Sequence, residues 1–456
     1  MKTKNLMILA AIVLVVAAYV FLFERHQPTS EEARKNAEKV FPEFDRDAVT
    51  AIRVEGSNGP VRLEKTGEVW RLREPIDFPA AAAAVSSALG SIANLTADRR
   101  LAADEADPVT YGLDQPTVTV RLTTSDGPEL VLKIGDELPL GSKRALQAGD
   151  SGEIVIASGW FVNDLDRELD DWRSRDVVDI LADQVASIDI ESGPDHIRAV
   201  RVNDTWKLLL PLEDLADRDH LRSLVSDLDS LRIEEFLDDG VNPADLGLDA
   251  PEYEIMLVRS DGGDPLRLDL GATRTGDSGP EVACRRNGAE YFWVSDSVRI
   301  RLSKAPVLWR SKKVAPFDTW DVRGLSLSFG DASVALVQEK GLWTFADDGG
   351  EVNLVAVQER LSRLAGLEAT DFDLIQPATP EMGRAELRFE APDGEGEGST
   401  LSLVFFRPLS EGGRAMVQAG NRDTVMGVAL SDAESILANL EELRPQPEEE
   451  PAATED

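Results

Sequence analysis

Three histidines, one cysteine and a large excess of carboxylates are the first residues to weigh for chemistry. His26 stands beside an apolar N-terminal run, and His196 and His220 fall in one stretch of the chain only, which argues against a zinc site or a shared histidine base. Cys284 is alone, so no intrachain disulfide can form. It lies in an expected strand where two similar stretches carry Gln147 and Gln418, and it reads as buried filler, not as a nucleophile. There is no Gly-x-Ser-x-Gly elbow, no Gly-x4-Gly-Lys-Ser/Thr loop and no His-Glu-x2-His pair. Gly394-Glu-Gly396-Glu-Gly398 has the glycines of a nucleotide loop, but its glutamates repel phosphate, so it reads as a surface loop. The turns Asp261-Gly-Gly-Asp264 and Asp347-Asp-Gly-Gly-Glu351 lack the full ligand spacing of a calcium loop and read as solvated hairpin turns. Carboxylate pairs such as Asp170-Asp171 are too numerous to be diagnostic. The expectation is a protein that is not an enzyme, with no catalytic, cofactor-binding or metal-binding residues and no cofactor.

Charge narrows the partners. Against 48 Lys+Arg the chain sets 84 Asp+Glu, a formal charge of -36, so phosphate repulsion excludes nucleic acid. The nearest approach to a basic patch, Arg310-Ser-Lys312-Lys313, is short. At 456 residues the chain exceeds one compact core and predicts about three domains.

An internal repeat supplies the three. Val49-Thr-Ala-Ile52-Arg-Val54, followed by Trp70 and Pro75, returns as Val185-Ala-Ser-Ile188-Asp-Ile190 with Trp206 and Pro211. A third copy reads Val322-Arg-Gly-Leu325-Ser-Leu327 with Trp343. The tryptophans are 136 and 137 residues apart, and the valines keep the same intervals, so the repeat is a register and sets the architecture. Alternation predicts short antiparallel strands up to the Trp strand, with Trp70, Trp206 and Trp343 as core anchors; stacking on a glycan is the rival role. A helix follows in each copy. Pro79 opens an Ala-rich one with Val85, Leu89 and Ile92 inward, Asp217 caps one with Leu221, Leu224, Val225, Leu228 and Leu231 inward, and Asn353 caps one with Val357, Leu361 and Leu364 inward.

Next comes Tyr111-Gly-Leu-Asp-Gln-Pro116, matched by Leu246-Gly-Leu-Asp-Ala-Pro251, where Gly suits a turn and Pro forces extension, so Pro116 and Pro251 should start a strand. The third copy keeps only Asp373-Leu-Ile-Gln-Pro377. Period-two runs then predict strands at Val118, Val120, Leu122 and at Leu130, Leu132, Ile134, with counterparts in both later copies. Two more strands and a closing helix near Phe161 to Leu169 complete a copy. The fold class is therefore α+β, three tandem repeats of about 136 residues, each a mostly antiparallel sheet with two helices.

Leu6 to Phe23 is an uncharged run of 18 residues, long enough to cross a bilayer, with Lys2 and Lys4 before it. The expectation is an uncleaved single-pass anchor of the inner membrane with a cytoplasmic N-terminus and a periplasmic bulk; a cleaved signal peptide is the rival. The predicted layout is 1-23 cytoplasmic start and anchor, 24-43 stalk, 44-179, 180-316 and 317-445 repeats, and 446-456 an acidic disordered tail. Trp172-Arg-Ser-Arg175 and Trp309-Arg-Ser-Lys312 each lead into a further copy, whereas the third ends at Leu443-Arg-Pro445, so Trp172 and Trp309 mark inter-domain joints.

The anchor, the Trp strand with its capped helix, Tyr-Gly-Leu-Asp-Gln-Pro, and the Arg-Ser-Arg/Lys joint leading to Phe-Asp and a Val-x2-Ile strand together resemble the bacterial domain of unknown function 4340. The likeness runs from Phe41 to about Leu443 and is strongest in the first two copies. It carries no catalytic assignment. Proteins of that family are typically encoded beside a gliding-motility-type ABC transporter, so the resemblance implies a membrane-tethered periplasmic accessory or scaffold, with the transporter's membrane subunits as partners. The rival reading is a periplasmic module for a glycan or cell-wall ligand, using Tyr253, Tyr291 and Trp293.

Overall fold

Each sheet starts from one irregularity in its first strand. Val49 and Ile52 are three apart and should face opposite sides of a regular strand, yet both are buried. The computed structural model resolves this with a β-bulge: β1 (Val49–Gly56) slips by one residue between Val49 and Ala51 against β6 (Val118–Thr124). The slip recurs between Val185 and Ser187 and between Val322 and Gly324, so it explains the Val-x2-Ile spacing in all three places.

The structure describes residues 38–445 except 126, 140, 150, 151, 203, 204, 239, 375–378, 391–397, 409, 411 and 412. The expected anchor, most of the stalk, the acidic tail and most of the Gly394–Gly398 loop lie outside the described residues. Among the described residues no helix is long and apolar enough to cross a membrane. The chain divides into two compact units, one ending at Arg175 and one beginning at Asp176.

The first unit holds one nine-stranded sheet. With β2 (Gly59–Thr66), β3 (Val69–Glu74), β4 (Phe78–Pro79), β5 (Arg99–Leu101), β7 (Leu130–Glu137), β8 (Lys143–Ala148) and β9 (Ile154–Ser158), its order is β4-β3-β2-β1-β6-β7-β8-β9-β5, and every pairing is antiparallel. The second unit holds two sheets. One comprises β10 (Val185–Ser192), β11 (Asp195–Val202), β12 (Thr205–Leu210), β13 (Asp214–Leu215), β14 (Ile233–Leu237), β15 (Tyr253–Arg259), β16 (Leu266–Gly276), β17 (Gly279–Arg286) and β18 (Glu290–Ser295), in the same order as the first. The other runs β19 (Val322–Phe329), β20 (Ala332–Glu339), β21 (Leu342–Phe345), β22 (Asp371–Leu374), β23 (Glu381–Phe389), β24 (Thr400–Phe406), β25 (Ala415–Ala419) and β26 (Val425–Val428), again in that order but without a counterpart of β4. The fold is α+β, dominated by three antiparallel sheets.

The edge strands β5, β14 and β22 are absent from the sequence reading. Each follows the helix and crosses to the far edge, where it pairs with the last strand of its sheet. The helices carry the cores as expected. Asp217 accepts the His220 N–H at 2.9 Å and Asn353 the Ala356 N–H at 3.3 Å, each satisfying an otherwise unpaired donor of the first turn. Leu221, Leu224, Val225 and Leu228 are buried beneath Arg218–Asp229, as are Val85, Leu89 and Ile92 beneath Ala82–Ala93, each worth about 1.5–3 kcal/mol.

Three expectations are corrected. Pro79 does not open the first helix: it ends β4, and Ala81 takes the N-cap position. The closing helix near Phe161 to Leu169 is broken into Gly159–Phe161, Val162–Leu165 and Leu169–Trp172. Asp166, at the break, accepts the Ser57 hydroxyl at 2.6 Å, and its carbonyl accepts from Asn58. Trp70 is only half-buried, whereas Trp206 and Trp343 are 7% and 8% exposed. Arg218 and Arg222 line the space beside Trp206, while the first helix carries Ala82 and Ser86 at the matching positions, too short to cover an indole.

The Tyr-Gly-Leu-Asp-Gln-Pro segment has a definite task. Gly112 and Gly247 take φ of 66°, a left-handed conformation that costs glycine little, and this turns Leu113 and Leu248 into small apolar clusters on the side of the sheet made by the last strands. Pro116 and Pro251 stand just outside the ladder, which starts where Thr117 and Glu252 donate to Ile134 and Leu270. The segment presses hard on the strand beneath: a Cβ on Gly135 would lie 2.0 Å from the Tyr111 carbonyl oxygen, and one on Gly271 would lie 2.1 Å from that of Leu246. In the third copy, where the segment is degraded, Phe406 occupies that strand position. Gly271→Ala should therefore cost about 1–3 kcal/mol through overpacking, read as a lower urea midpoint, while Gly90→Ala, in open space at an ordinary φ within the helix Ala82–Ala93, should not.

Candidate functional site

The residues that link one sheet to the next make the most strongly organised polar site in the second unit. The same backbone bond closes each copy: Ala81, Asp217 and Asn353 donate to the carbonyls of Trp172, Trp309 and Leu443, each at 2.8 Å. Leu443 thus fills the tryptophan position in the last copy. One step on, Ser174 and Ser311 donate to Pro79 and Leu215, at 2.8 Å each, but Pro445 has no N–H to give and the bridge ends there. Entry is equally regular. Val40, Val177 and Val314 donate to Leu95, Leu231 and Leu367, each the residue just past the C-cap of the helix of the copy being entered.

Between the second and third sheets this joint contains a buried ion cluster. Asp214, on the two-residue strand β13, accepts Arg422 Nε at 2.6 Å on Oδ1 and Nη2 at 2.8 Å on Oδ2, a bidentate fork across 208 positions of sequence. Arg310, in the joint, donates Nε to Oδ2 at 2.6 Å, and the Leu215 N–H donates to Oδ1 at 2.8 Å. All three side chains are essentially inaccessible to solvent. Arg422 also donates Nη1 to the carbonyls of Ser311 and Lys313, and the Phe372 ring lies 4.3 Å from the Arg310 guanidinium carbon and 5.7 Å from that of Arg422. Burial alone would push the Asp214 carboxyl upward, but Arg422 and then Arg310 hold it below the usual carboxylate range. In the first unit the strand register puts Phe78 at the matching position, and Arg173, the counterpart of Arg310, stacks its guanidinium 4.6 Å from that ring.

Trp309 is fully buried beside this cluster, donating Nε1 to the Lys304 carbonyl at 3.3 Å. The His220 ring meets it edge-on at 4.5 Å, and the Lys304 ammonium donates to His220 Nδ1 at 2.9 Å. Burial, reinforced by Lys304, lowers the His220 pKa to about 4, so the ring is neutral at neutral pH. Trp172 is fully buried in the first unit. Beside the second joint lies an open cleft of about 630 Å³, lined by Trp206, Arg218, Arg222, Lys312, Lys313 and Glu368 among others.

Of the remaining residues weighed from sequence, Cys284 is buried in β17 and desolvation pushes its thiol pKa up. Asp261 accepts from Arg259 and the Gly263 N–H, and Asp348 from Gly350 and Arg444. Tyr253 and Trp293 are buried, and Arg274 covers Trp293 at 4.2 Å, so neither ring offers a free face to a sugar; Tyr291 is half-buried. Sequence reasoning found the joint tryptophans but missed Asp214 and Arg422, because the third copy has no tryptophan to mark its end and arginine is common in the chain. Among the described residues, one group of three metal-ligating side chains has donor atoms within 4.8 Å of one another: Asp189, Glu191 and His196.

Asp214→Ala strands two buried guanidinium groups and should cost about 3–5 kcal/mol, measured by urea unfolding of the second unit. The pH response of His220 is separable from this. Its folded pKa lies below the unfolded value near 6.5, so as pH falls from about 6.5 to about 4 the unfolded chain takes up a proton that the fold refuses. Stability should fall over that window by up to about 3 kcal/mol, and a pH series on His220→Gln should lack this component.

Two overlapping stretches, residues 70–251 and 216–392, match the family model described as Domain of unknown function (DUF4340), and together they span most of the chain. No curated protein matches the sequence. The chain, with its recurring sheets and joints, belongs to the DUF4340 family.

Proposed function

We propose that the chain is a non-enzymatic, membrane-anchored periplasmic accessory or scaffold of a gliding-motility-type ABC transport system. In this reading three tandem repeats of about 136 residues follow one N-terminal transmembrane helix, Leu6 to Phe23, whose preceding lysines keep the N-terminus in the cytoplasm. The observation that carries it is the buried Asp214–Arg310–Arg422 cluster, which joins two neighbouring sheets through a fully desolvated carboxylate. A scaffold must hold its surfaces at a fixed spacing, and a multiply bonded buried ion pair is directional where apolar packing is not. The glycine-to-Leu246 contact, the capped helices and the bulged first strands likewise fix geometry. The partner suggested by the resemblance is the transporter's membrane part, with the open cleft beside the second joint as a surface that a rigid arm can present.

Affinity purification of the tagged full-length protein from membranes, after mild crosslinking, is expected to recover ABC transporter subunits. Recovery of the protein alone under those conditions would contradict the reading.

A further inference from the structure

The outer face of the second sheet differs from the same face of the other two. On β10, Asp189 and Glu191 are two apart and point the same way, and β11 places His196 directly opposite Glu191. His196 Nε2 lies 2.6 Å from Asp189 Oδ1 and 3.8 Å from Glu191 Oε1. Two carboxylates therefore converge on one ring nitrogen that has at most one proton to share. The matching positions are Arg53, Glu55 and Pro60 in the first sheet and Ser326, Ser328 and Ser333 in the third, so the trio is specific to the middle copy.

We propose that Asp189, Glu191 and His196 form a binding site for a divalent transition-metal ion of the zinc type. Bonds of about 2.0–2.2 Å to imidazole nitrogen and carboxylate oxygen at tetrahedral angles put neighbouring donors about 3.3–3.6 Å apart. The observed 2.6 and 3.8 Å bracket that spacing, and the required shifts are within reach of side-chain rotation at partly exposed positions. Neutral imidazole coordinates through Nε2, and the nitrogen donor favours Zn²⁺ over Mg²⁺ or Ca²⁺, which prefer oxygen. Arg198 Nε, 3.6 Å from Asp189 Oδ2, orients the carboxylate from outside the ligand set. Glu254 faces Glu191 from β15, but Arg267 holds its carboxylate at 2.6 Å, so it is not the fourth ligand. Three protein donors leave a position open to water or to a donor from a partner. Restriction to one copy excludes a site shared by the repeats but is compatible with one that the middle copy alone carries.

The test is a Zn²⁺ titration of the purified full-length protein by calorimetry in excess Mg²⁺, which occupies the weak carboxylate sites of so acidic a chain. One Zn²⁺ should bind per chain, and His196→Ala and Asp189→Asn should each weaken it at least about tenfold, in line with the loss of one ligand. Asp261→Asn, remote from the trio, should leave it unchanged. Bound Co²⁺ should show ligand-field absorption in the visible that His196→Ala removes. Zinc binding that is weak, multiple and indifferent to His196→Ala would overturn the proposal, as would a Co²⁺ spectrum unaltered in that variant.

Discussion

Two guanidinium groups share one buried carboxylate through direct hydrogen bonds, and the arrangement of the second unit follows from that. A buried charge is tolerated only when its partners satisfy it, and Asp214 is satisfied by donors from three places: its own strand, the joint and the third sheet. None of the three can move independently without exposing an uncompensated ion to a low-dielectric interior. The flanking contacts serve the same end. The Phe372 ring receives the cationic faces left over, and the carbonyls of Ser311 and Lys313 take further protons of Arg422.

Regularity at the level of the backbone makes this possible. Each copy is entered by a valine bonded to the end of its helix and left through a carbonyl bonded to the residue that starts the helix, so the distance between entry and exit is set by one helix and one sheet order. Side chains then decide how firmly neighbours are joined. The first copy has Phe78 at the position of Asp214, with Arg173 stacked on its ring, and the last copy ends in a proline that cannot extend the bridge.

Periodic features were legible in the sequence. The Trp strands, helix caps at Asp217 and Asn353, the inward faces of three helices and the glycine turns follow from spacing and local chemistry, because each is decided within a few residues. Features that depend on distant partners were not. The crossing edge strands β5, β14 and β22 are short and irregular, and nothing within Ile233 to Leu237 reveals that its partner is β18. Asp214 and Arg422 lie in ordinary surroundings for so charged a chain, and only the fold brings them together. Trp70 kept its register but not its burial, since the covering arginines of the second copy are replaced by Ala82 and Ser86. Sequence alone sets His196 aside as a ligand for a similar reason: its meeting with Asp189 and Glu191 is set by strand register, and comparison between copies discounts what only one copy has.

Hydrogen exchange followed by mass spectrometry tests the central claim, that buried charge joins the second and third sheets into one mechanical body. Core amides of β10, β15, β19 and β23 should open together, with a common protection factor under native conditions, and Arg422→Met should split them into two classes that open separately. Separate opening of the two sheets in the unaltered protein would contradict the account.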